Sequence, residues 1–368
     1  MRRATWRANS GELRASGGAA GAAREAIIEA AAASRLFRPM EIEMTRTTLT
    51  PPPFDPELAA ALIVVGETIP PSLTPDLIPM LREMPDDPTL DEQTERVGAI
   101  REDRVIPGYQ GAEIVVSIYR PANPQADGPG IYHIHGGGMI GGNRFGGVQG
   151  FLPYVASHGA VVVSVEYRLA PEFPDPVPVE DSYAGLVWTA EHASELGIDL
   201  SRLIVAGGSA GGGLSAGVTL MARDRKGPEL RASLLICPML DDRNDTASSH
   251  QIQGIGVWDR TSNDTGWDAL LGDRRGTDDV SIYAAPARAQ DLSGLPPTFI
   301  DVGSADLFRD EDTAFASSIW AAGGDAELHV WPGGYHGFEL LVPMAALSQD
   351  AYQARRRWLA RLSSNGTP

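Results

Sequence analysis

The chain has 368 residues, of which 43% are hydrophobic and 21% charged, so it can build one large core with an elaboration. Its formal net charge of −18 argues against binding to nucleic acid or to an anionic membrane, because an acidic surface repels phosphate groups. No apolar stretch approaches the roughly 18 residues that a membrane-spanning helix needs.

The first part of the chain shows little regular pattern. Residues 1–45 form a poorly defined N-terminal extension, with three interpretations open: a targeting segment, an incorrectly assigned start, or part of a cap. Residues 46–96 are dense in proline around two apolar pieces, ELAAALIVVG and LIPMLREM, which are typical of short helices. Because apolar helix faces need a partner, we expect this segment to cap a pocket.

From residue 97 onward, strand-like and helix-like runs alternate. Eight strands are predicted, near residues 98–106, 112–120, 130–135, 160–166, 202–206, 231–237, 297–302 and 326–331. Helices are predicted near residues 148–158, 179–195, 210–225, 310–322 and 344–362. Only the turn PGYQG separates the first two strands, which should pair antiparallel, whereas helices separate the later, parallel ones. The prediction is an α/β fold with a mostly parallel eight-stranded sheet flanked by helices.

Residues 241–275 interrupt this alternation with polar residues and two tryptophans. We assign them to the cap as its second segment. The α/β core is then divided into residues 97–240 and residues 276–368.

The run RLIVAGGSAGGGL leads from a buried strand through a glycine cluster into a helix. This is the context of a nucleophile elbow, in which Gly-x-Ser-x-Gly occupies a sharp strand-to-helix turn. Glycine at 207 and 211 removes side chains that would clash across the turn, so Ser209 is the predicted nucleophile. The Gly-x-Ser-x-Gly pattern occurs a second time, centred on Ser215. Ser215 would lie inside the helix and not at the strand-to-helix turn, so it is not the predicted nucleophile.

The sequence His135-Gly136-Gly137-Gly138 directly follows the strand GIYHIH. Unhindered glycine N–H groups suit a developing oxyanion, so Gly137, Gly138 and Ala210 are the predicted donors. The glycines at 136, 138 and 141 also fit a dinucleotide-binding fingerprint. That interpretation is weaker, because the loop continues through GGNRFGGVQG before any helix begins.

The acid and base are predicted from their places after the last two strands. His336 lies in the loop PGGYHGF, whereas His329 lies within a strand. The stretch FIDVGSADLFRDE offers four acidic residues, Asp301, Asp306, Asp310 and Glu311. Asp306 is left in the loop, because Asp301 belongs to the strand and Asp310 with Glu311 begins a helix. Ser209, Asp306 and His336 follow the chain order that this kind of site requires.

These motifs, together with YRLAPEFPDPVPVED at residues 167–181, resemble the bacterial hormone-sensitive-lipase-like family of α/β-hydrolase esterases. The resemblance covers about residues 97–368. It implies a carboxylesterase with the triad Ser209, Asp306 and His336, and a cap made from the N-terminal region and the segment after the sixth strand. The chain departs from the family at Gly208, where Asp or Thr is usual, and at Met139, where an aromatic residue is common.

The expected reaction is hydrolysis of short- to medium-chain acyl esters through an acyl-enzyme, without a metal or organic cofactor. Amide or lactam hydrolysis on the same fold is also compatible with these residues, as is a non-catalytic ligand receptor. The expected partner is a small-molecule ester, with no nucleic acid and no membrane, and a homodimer is compatible with the sequence. Candidates for an apolar substrate pocket are Met139, Phe145, Trp258, Trp267 and Phe338.

The single cysteine, Cys237, lies in the apolar run ASLLICPML and is expected to be a buried thiol. A chain without disulfides fits a reducing compartment. We therefore predict a cytoplasmic protein.

Overall fold

The computed structural model describes residues 49–66, 68–124 and 126–364, and it contains the predicted eight-stranded sheet. The strands are β1 Ala99–Pro107, β2 Glu113–Pro121, β3 Gly128–Ile134, β4 Val161–Glu166, β5 Ile198–Gly208, β6 Ala232–Ile236, β7 Thr298–Gly303 and β8 Ala326–Trp331. The predicted extension at residues 1–45 lies outside the described residues.

The sheet has the strand order β1-β2-β4-β3-β5-β6-β7-β8. β1 pairs antiparallel with β2, as predicted, and β2 also pairs antiparallel with β4. The strands from β3 to β8 are parallel to one another. In the centre, Ile134 at the end of β3 is in register with Gly207 near the end of β5, so the loops that follow these strands leave the sheet side by side.

Twelve α-helices lie in the described part of the chain. They are α1 Pro56–Val65, α2 Ile78–Arg82, α3 Leu90–Arg96, α4 Leu152–His158, α5 Val177–Glu191, α6 Ala193–Leu196, α7 Ala210–Asp224, α8 Ala247–Gln251, α9 Arg260–Leu271, α10 Arg309–Ala321, α11 Phe338–Leu341 and α12 Ala346–Ser364. Short 3-10 turns occur at Pro75–Leu77, Tyr109–Gly111, Val148–Gly150, Gly272–Arg274 and Pro286–Arg288. None of these described helices combines the length and the apolar character that crossing a bilayer requires.

Helices cover both faces of the sheet, because alternate residues of a buried strand point in opposite directions. On β4, Val163 packs into the cluster that contains residues of α5 and α7. Its neighbour Val162 packs into a second cluster with residues of α4 and α12. This arrangement confirms the predicted α/β-hydrolase architecture.

The two segments assigned to a cap contact each other directly. The backbone N–H of Leu73 donates to Ser262 Oγ at 2.8 Å, and Thr265 Oγ1 donates to the carbonyl of Leu73 at 2.8 Å. The helix α9 of the second segment is capped at its N-terminus by Asp259, whose carboxylate accepts from the N–H of Ser262. The division into core and cap segments stays a prediction.

Candidate active site

Ser209 lies between the end of β5 and the first residue of α7 with φ 57° and ψ −126°, a strained conformation for a residue with a side chain. A Cβ at Gly207 would lie 2.3 Å from the carbonyl oxygen of Gly211, and one at Gly211 would lie 2.0 Å from that of Ile134. The backbone crossing therefore admits only glycine at both positions. By contrast, Ser215 is buried within α7 and donates to the Gly211 carbonyl at 2.7 Å.

The side chains of Ser209, His336 and Asp306 form one hydrogen-bonded line. His336 Nε2 lies 2.9 Å from Ser209 Oγ, and its Nδ1 lies 2.9 Å from Asp306 Oδ2. The other oxygen of Asp306 accepts from the N–H of Phe308 at 3.0 Å. The three residues follow β5, β8 and β7, so they meet at the carboxyl edge of the parallel strands, where ligands bind in open α/β sheets.

The other candidate acids and the other histidine have different partners. Asp301 binds Arg355, Asp310 accepts from the N–H of Ser248, and the Glu311 carboxylate accepts from the N–H of Leu240. His329 lies 2.9 Å from a carboxylate oxygen of Glu327 and stacks on Trp331. Each therefore has a structural role elsewhere.

Burial shifts the pKa of several of these carboxyl groups. Glu311 is buried, and the loss of hydration raises the pKa of its carboxyl well above the usual range. Burial also raises the pKa of the Asp301 carboxyl, although the Arg355 guanidinium opposes that effect. Low-dielectric surroundings disfavour the charged form of an acid, so these groups are costly unless they are paired.

The glycine loop after β3 faces the same space. Gly137 has φ 107° and Gly138 has φ 63°, and among the described residues neither backbone N–H donates to a carbonyl. Ala210 is the first residue of α7, directly after Ser209. A helix N-terminus and free glycine amides both favour negative charge, so the surroundings of Ser209 suit an anion.

The two histidines before this loop are structural. His135 is buried, stacks on Tyr167 at 4.2 Å between ring centroids and lies 2.8 Å from the Gly136 carbonyl through Nδ1. Burial lowers the pKa of His133 to about 3, so its imidazole is neutral at ordinary pH.

Cys237 is a buried free thiol, as expected, but its place beside the acid and base was not foreseen. Potential ligand atoms of Cys237, Asp306 and His336 all lie within 4.8 Å of one another. Both ring nitrogens of His336 are already hydrogen-bonded, to Asp306 and to Ser209, so this group is not an open set of metal ligands. The signal in the sequence was the position of Cys237 directly after β6, at the same sheet edge.

A cavity of about 410 Å³ opens over Ser209. Its wall includes Gly137, Gly138 and His336 and the predicted pocket residues Phe145 and Trp258. It also includes five residues of the two segments that the sequence assigns to a cap, namely Ile69, Leu81, Arg82, Met84 and Val257. The volume lies within the usual range for small-molecule sites.

Three predicted pocket residues do not reach this cavity. Met139 follows the glycine loop with a φ of 62° and is fully buried in the core. Trp267 is fully buried on the inner side of α9, and Phe338 packs in the cluster with Leu58 and Tyr335. The cavity wall over Ser209 thus includes Phe145 and Trp258 of the predicted pocket residues, and it does not include these three.

A family model described as the alpha/beta hydrolase fold matches residues 131–340, which include Ser209, Asp306 and His336. The chain belongs to the α/β-hydrolase fold family. This membership confirms the family and the fold that the sequence motifs indicated.

Individual members of the α/β-hydrolase family give the same result. The chain is 38% identical over 255 residues to carboxylesterase NlhH of Mycobacterium tuberculosis, across 67% of this chain and 78% of that protein. It is 35% identical to esterase LipI of the same species, across 66% of this chain and 77% of that protein. Its fold matches a bacterial heroin esterase with a TM-score of 0.74 and 36% identity, covering 84% of this chain and 98% of that structure.

Proposed function

We propose that this α/β-hydrolase cleaves short- to medium-chain acyl esters, with Ser209 as nucleophile, His336 as general base and Asp306 as the acid of the triad. The observation that carries the proposal is the pair of 2.9 Å contacts that joins the three side chains. The relatives named carboxylesterase and esterase support the reaction class.

In the first step, the Ser209 hydroxyl donates its proton to His336 Nε2 as its oxygen attacks the ester carbonyl carbon. The His336 Nδ1–H donates to Asp306, which fixes the tautomer and stabilises the imidazolium. The tetrahedral intermediate collapses when the C–O bond to the alcohol breaks, and the imidazolium gives its proton to the leaving alcohol. The product of this step is an acyl-serine.

In the second step, water replaces the alcohol. His336 takes a proton from the water as its oxygen attacks the acyl-serine, and the imidazolium then returns a proton to Ser209 Oγ as the carboxylic acid leaves. No net redox change occurs: over the whole reaction the acyl C–O bond of the ester and one O–H bond of water break, and the acyl C–O bond of the acid and the O–H bond of the alcohol form. The enzyme returns to its starting state.

Both tetrahedral intermediates carry an oxyanion, and we assign its donors to the N–H groups of Gly137, Gly138 and Ala210. The free amides of the glycine loop support this assignment. Preorganised donors cost no reorganisation during the reaction and typically account for a large share of the rate.

The substrate is proposed to be a small molecule, because the cavity over Ser209 measures about 410 Å³. The cap residues in the cavity wall would contact the parts of the ester remote from the carbonyl. Four further expectations stay predictions: no nucleic-acid partner, no membrane partner, a homodimer and a cytoplasmic location. The buried free thiol of Cys237 supports the cytoplasmic location.

The test compares hydrolysis of p-nitrophenyl esters by the wild type, Ser209→Ala and Ser215→Ala. Ser215 is the matched control, because it stands in the second Gly-x-Ser-x-Gly pattern but lies inside α7. We expect Ser209→Ala to lower kcat by about four orders of magnitude or more, and Ser215→Ala to stay within about fivefold of the wild type. A fluorophosphonate should add its mass to Ser209 alone. Full turnover by Ser209→Ala would overturn the proposal.

A further inference from the structure

Gly208 lacks a side chain at a position where nothing in the described structure requires glycine. It is the last residue of β5 and is not among the residues with positive φ. The three described atoms nearest to a Cβ built there all belong to Ile236, and the closest lies at 3.7 Å, which is an ordinary contact. Its neighbour Gly207 differs, because a Cβ there would lie 2.3 Å from the Gly211 carbonyl oxygen. The missing side chain at 208 therefore leaves space rather than relieving a clash.

That space lies where two cavities meet. Besides the cavity over Ser209, a smaller one of about 50 Å³ lies between the sheet and α12. The two cavities share part of their walls, formed by His133, Gly147, Gly208, Ile236, Glu339 and Leu340. A side chain at position 208 would grow from this common wall, next to the nucleophile.

Much of the wall of the smaller cavity is apolar, with Phe151, Leu234, Ile236 and Leu359 among its residues. The buried His133 in its wall lies 2.8 Å from Ser164 Oγ through Nδ1. Its lowered pKa, about 3, keeps the ring uncharged. An apolar group that enters this space therefore meets no charged imidazole at His133.

Three polar residues of the same wall, Glu339, Tyr352 and Arg355, already have hydrogen-bond partners. Arg355 donates to Asp301 at 2.9 and 3.1 Å and to Glu339 Oε1 at 3.0 Å. Tyr352 donates its hydroxyl to the Glu339 carbonyl oxygen at 2.9 Å. Because these groups already have partners, they would not lose a hydrogen bond when an alkyl group fills the cavity.

We propose that Gly208 opens the smaller cavity to the acyl chain of the substrate, and that position 208 sets the acyl length the enzyme accepts. This inference rests on the proposed ester hydrolysis. The acyl group is the better occupant because it stays on Ser209 through both steps, whereas the alcohol must leave after the first. A cavity of about 50 Å³ exceeds the roughly 10–15 Å³ that one water needs, so it fits a short alkyl end.

The experiment measures kcat/KM of the wild type, Gly208→Ala and Gly208→Val on p-nitrophenyl acetate, butyrate and hexanoate. We expect Gly208→Ala to stay within about threefold of the wild type on acetate and to lose about tenfold or more on hexanoate, because misfit of one methylene costs about 10- to 200-fold. Gly208→Val should lose more on butyrate as well. Ile236→Val, which removes a methyl group from the common wall, should raise the hexanoate-to-acetate ratio.

A series of acetate esters with ethyl, butyl and hexyl alcohols provides the control, and its relative rates should be the same in the wild type and Gly208→Ala. An equal loss on every acyl ester, or a loss that follows alcohol size, would overturn the acyl assignment. If Gly208→Ala has a lowered melting temperature, Ile236→Val provides the test in its place. An unchanged hexanoate-to-acetate ratio in Ile236→Val would then overturn the acyl assignment. A wild type that hydrolyses none of the esters would instead overturn the proposed function.

Discussion

Arg82 donates from Nε to the carbonyl oxygen of Ile140 at 2.8 Å. Its Nη2 donates to the carbonyl of Ala170 at 2.7 Å, and both terminal nitrogens bind the Glu172 carboxylate. Ile140 belongs to the turn that begins at Gly137, whose carbonyl accepts from the Ile140 N–H at 3.1 Å. An arginine of the N-terminal segment thus holds the loop that carries the proposed oxyanion donors.

We expect Arg82→Met to lower kcat about tenfold with a smaller change in KM, because an unrestrained loop would misplace donors that act in the transition state. Methionine retains the apolar stem of the arginine. Steady-state kinetics on p-nitrophenyl butyrate measures both constants.

The control for Arg82→Met is Glu172→Gln, which removes the ion pair and leaves the bonds to the two carbonyls. The Glu172 side chain is 56% exposed, and exposed ion pairs contribute little, so this variant should stay within about twofold of the wild type. Equal losses in the two variants would place the effect in the ion pair and not in the loop.

Asp306→Asn should lower kcat by about 10⁴ at neutral pH, because an amide cannot stabilise the imidazolium and can present an N–H to His336 Nδ1. Asp310→Asn is the matched control, since its carboxylate instead accepts from the N–H of Ser248. It should stay within about fivefold of the wild type. Steady-state kinetics on p-nitrophenyl acetate distinguishes the two variants. A larger loss of kcat in Asp310→Asn than in Asp306→Asn would make Asp310 the acid of the triad.

The places of Ser209, Asp306 and His336 could be predicted because each residue lies shortly after a strand. These strands can be recognised in the sequence as apolar runs. Parallel strands end at one edge, so position along the chain already implied proximity. The order β2-β4-β3 could not be predicted, because it depends on pairing between distant segments that have similar patterns.

The pocket residues were harder to predict than the triad, for a local reason. Trp258 and Trp267 lie in one segment, yet Trp258 lines the cavity and Trp267 is buried on the inner side of α9. The direction of a side chain depends on helix phase and on single dihedral angles, as the positive φ of Met139 shows. Composition does not encode either quantity.

Arg355→Met should lower the free energy of unfolding by about 3–5 kcal/mol, because it leaves two buried carboxylates without their cation. Arg355 contacts both Asp301 and Glu339, and the three side chains are at most 8% exposed. The exposed Arg357 on the same helix gives the control variant Arg357→Met, expected to change the free energy by less than about 1 kcal/mol. Urea denaturation measures both. A similar small effect in the two variants would show that the buried network is dispensable.

Asp312→Asn should become more stable relative to the wild type as the pH rises. Asp312 is fully buried, and within the described part of the chain neither carboxyl oxygen has a hydrogen-bond partner. Burial first, and then the charges of Glu311, Asp306 and Asp301, raise its pKa well above the usual value. The unfolded chain releases this proton above about pH 4 whereas the folded chain keeps it, so the wild type loses stability with rising pH up to the folded pKa.

The asparagine variant has no such proton. Its free energy of unfolding should therefore rise relative to that of the wild type between about pH 5 and about pH 8. Urea denaturation at both pH values measures the difference, with the exposed Asp278→Asn as a surface control that should change it little. A difference that stays constant between the two pH values would mean that Asp312 is ionised in the folded protein. In that case two buried, unpartnered charged oxygens would have to be tolerated beside Glu311, which the cost of desolvating a carboxylate opposes.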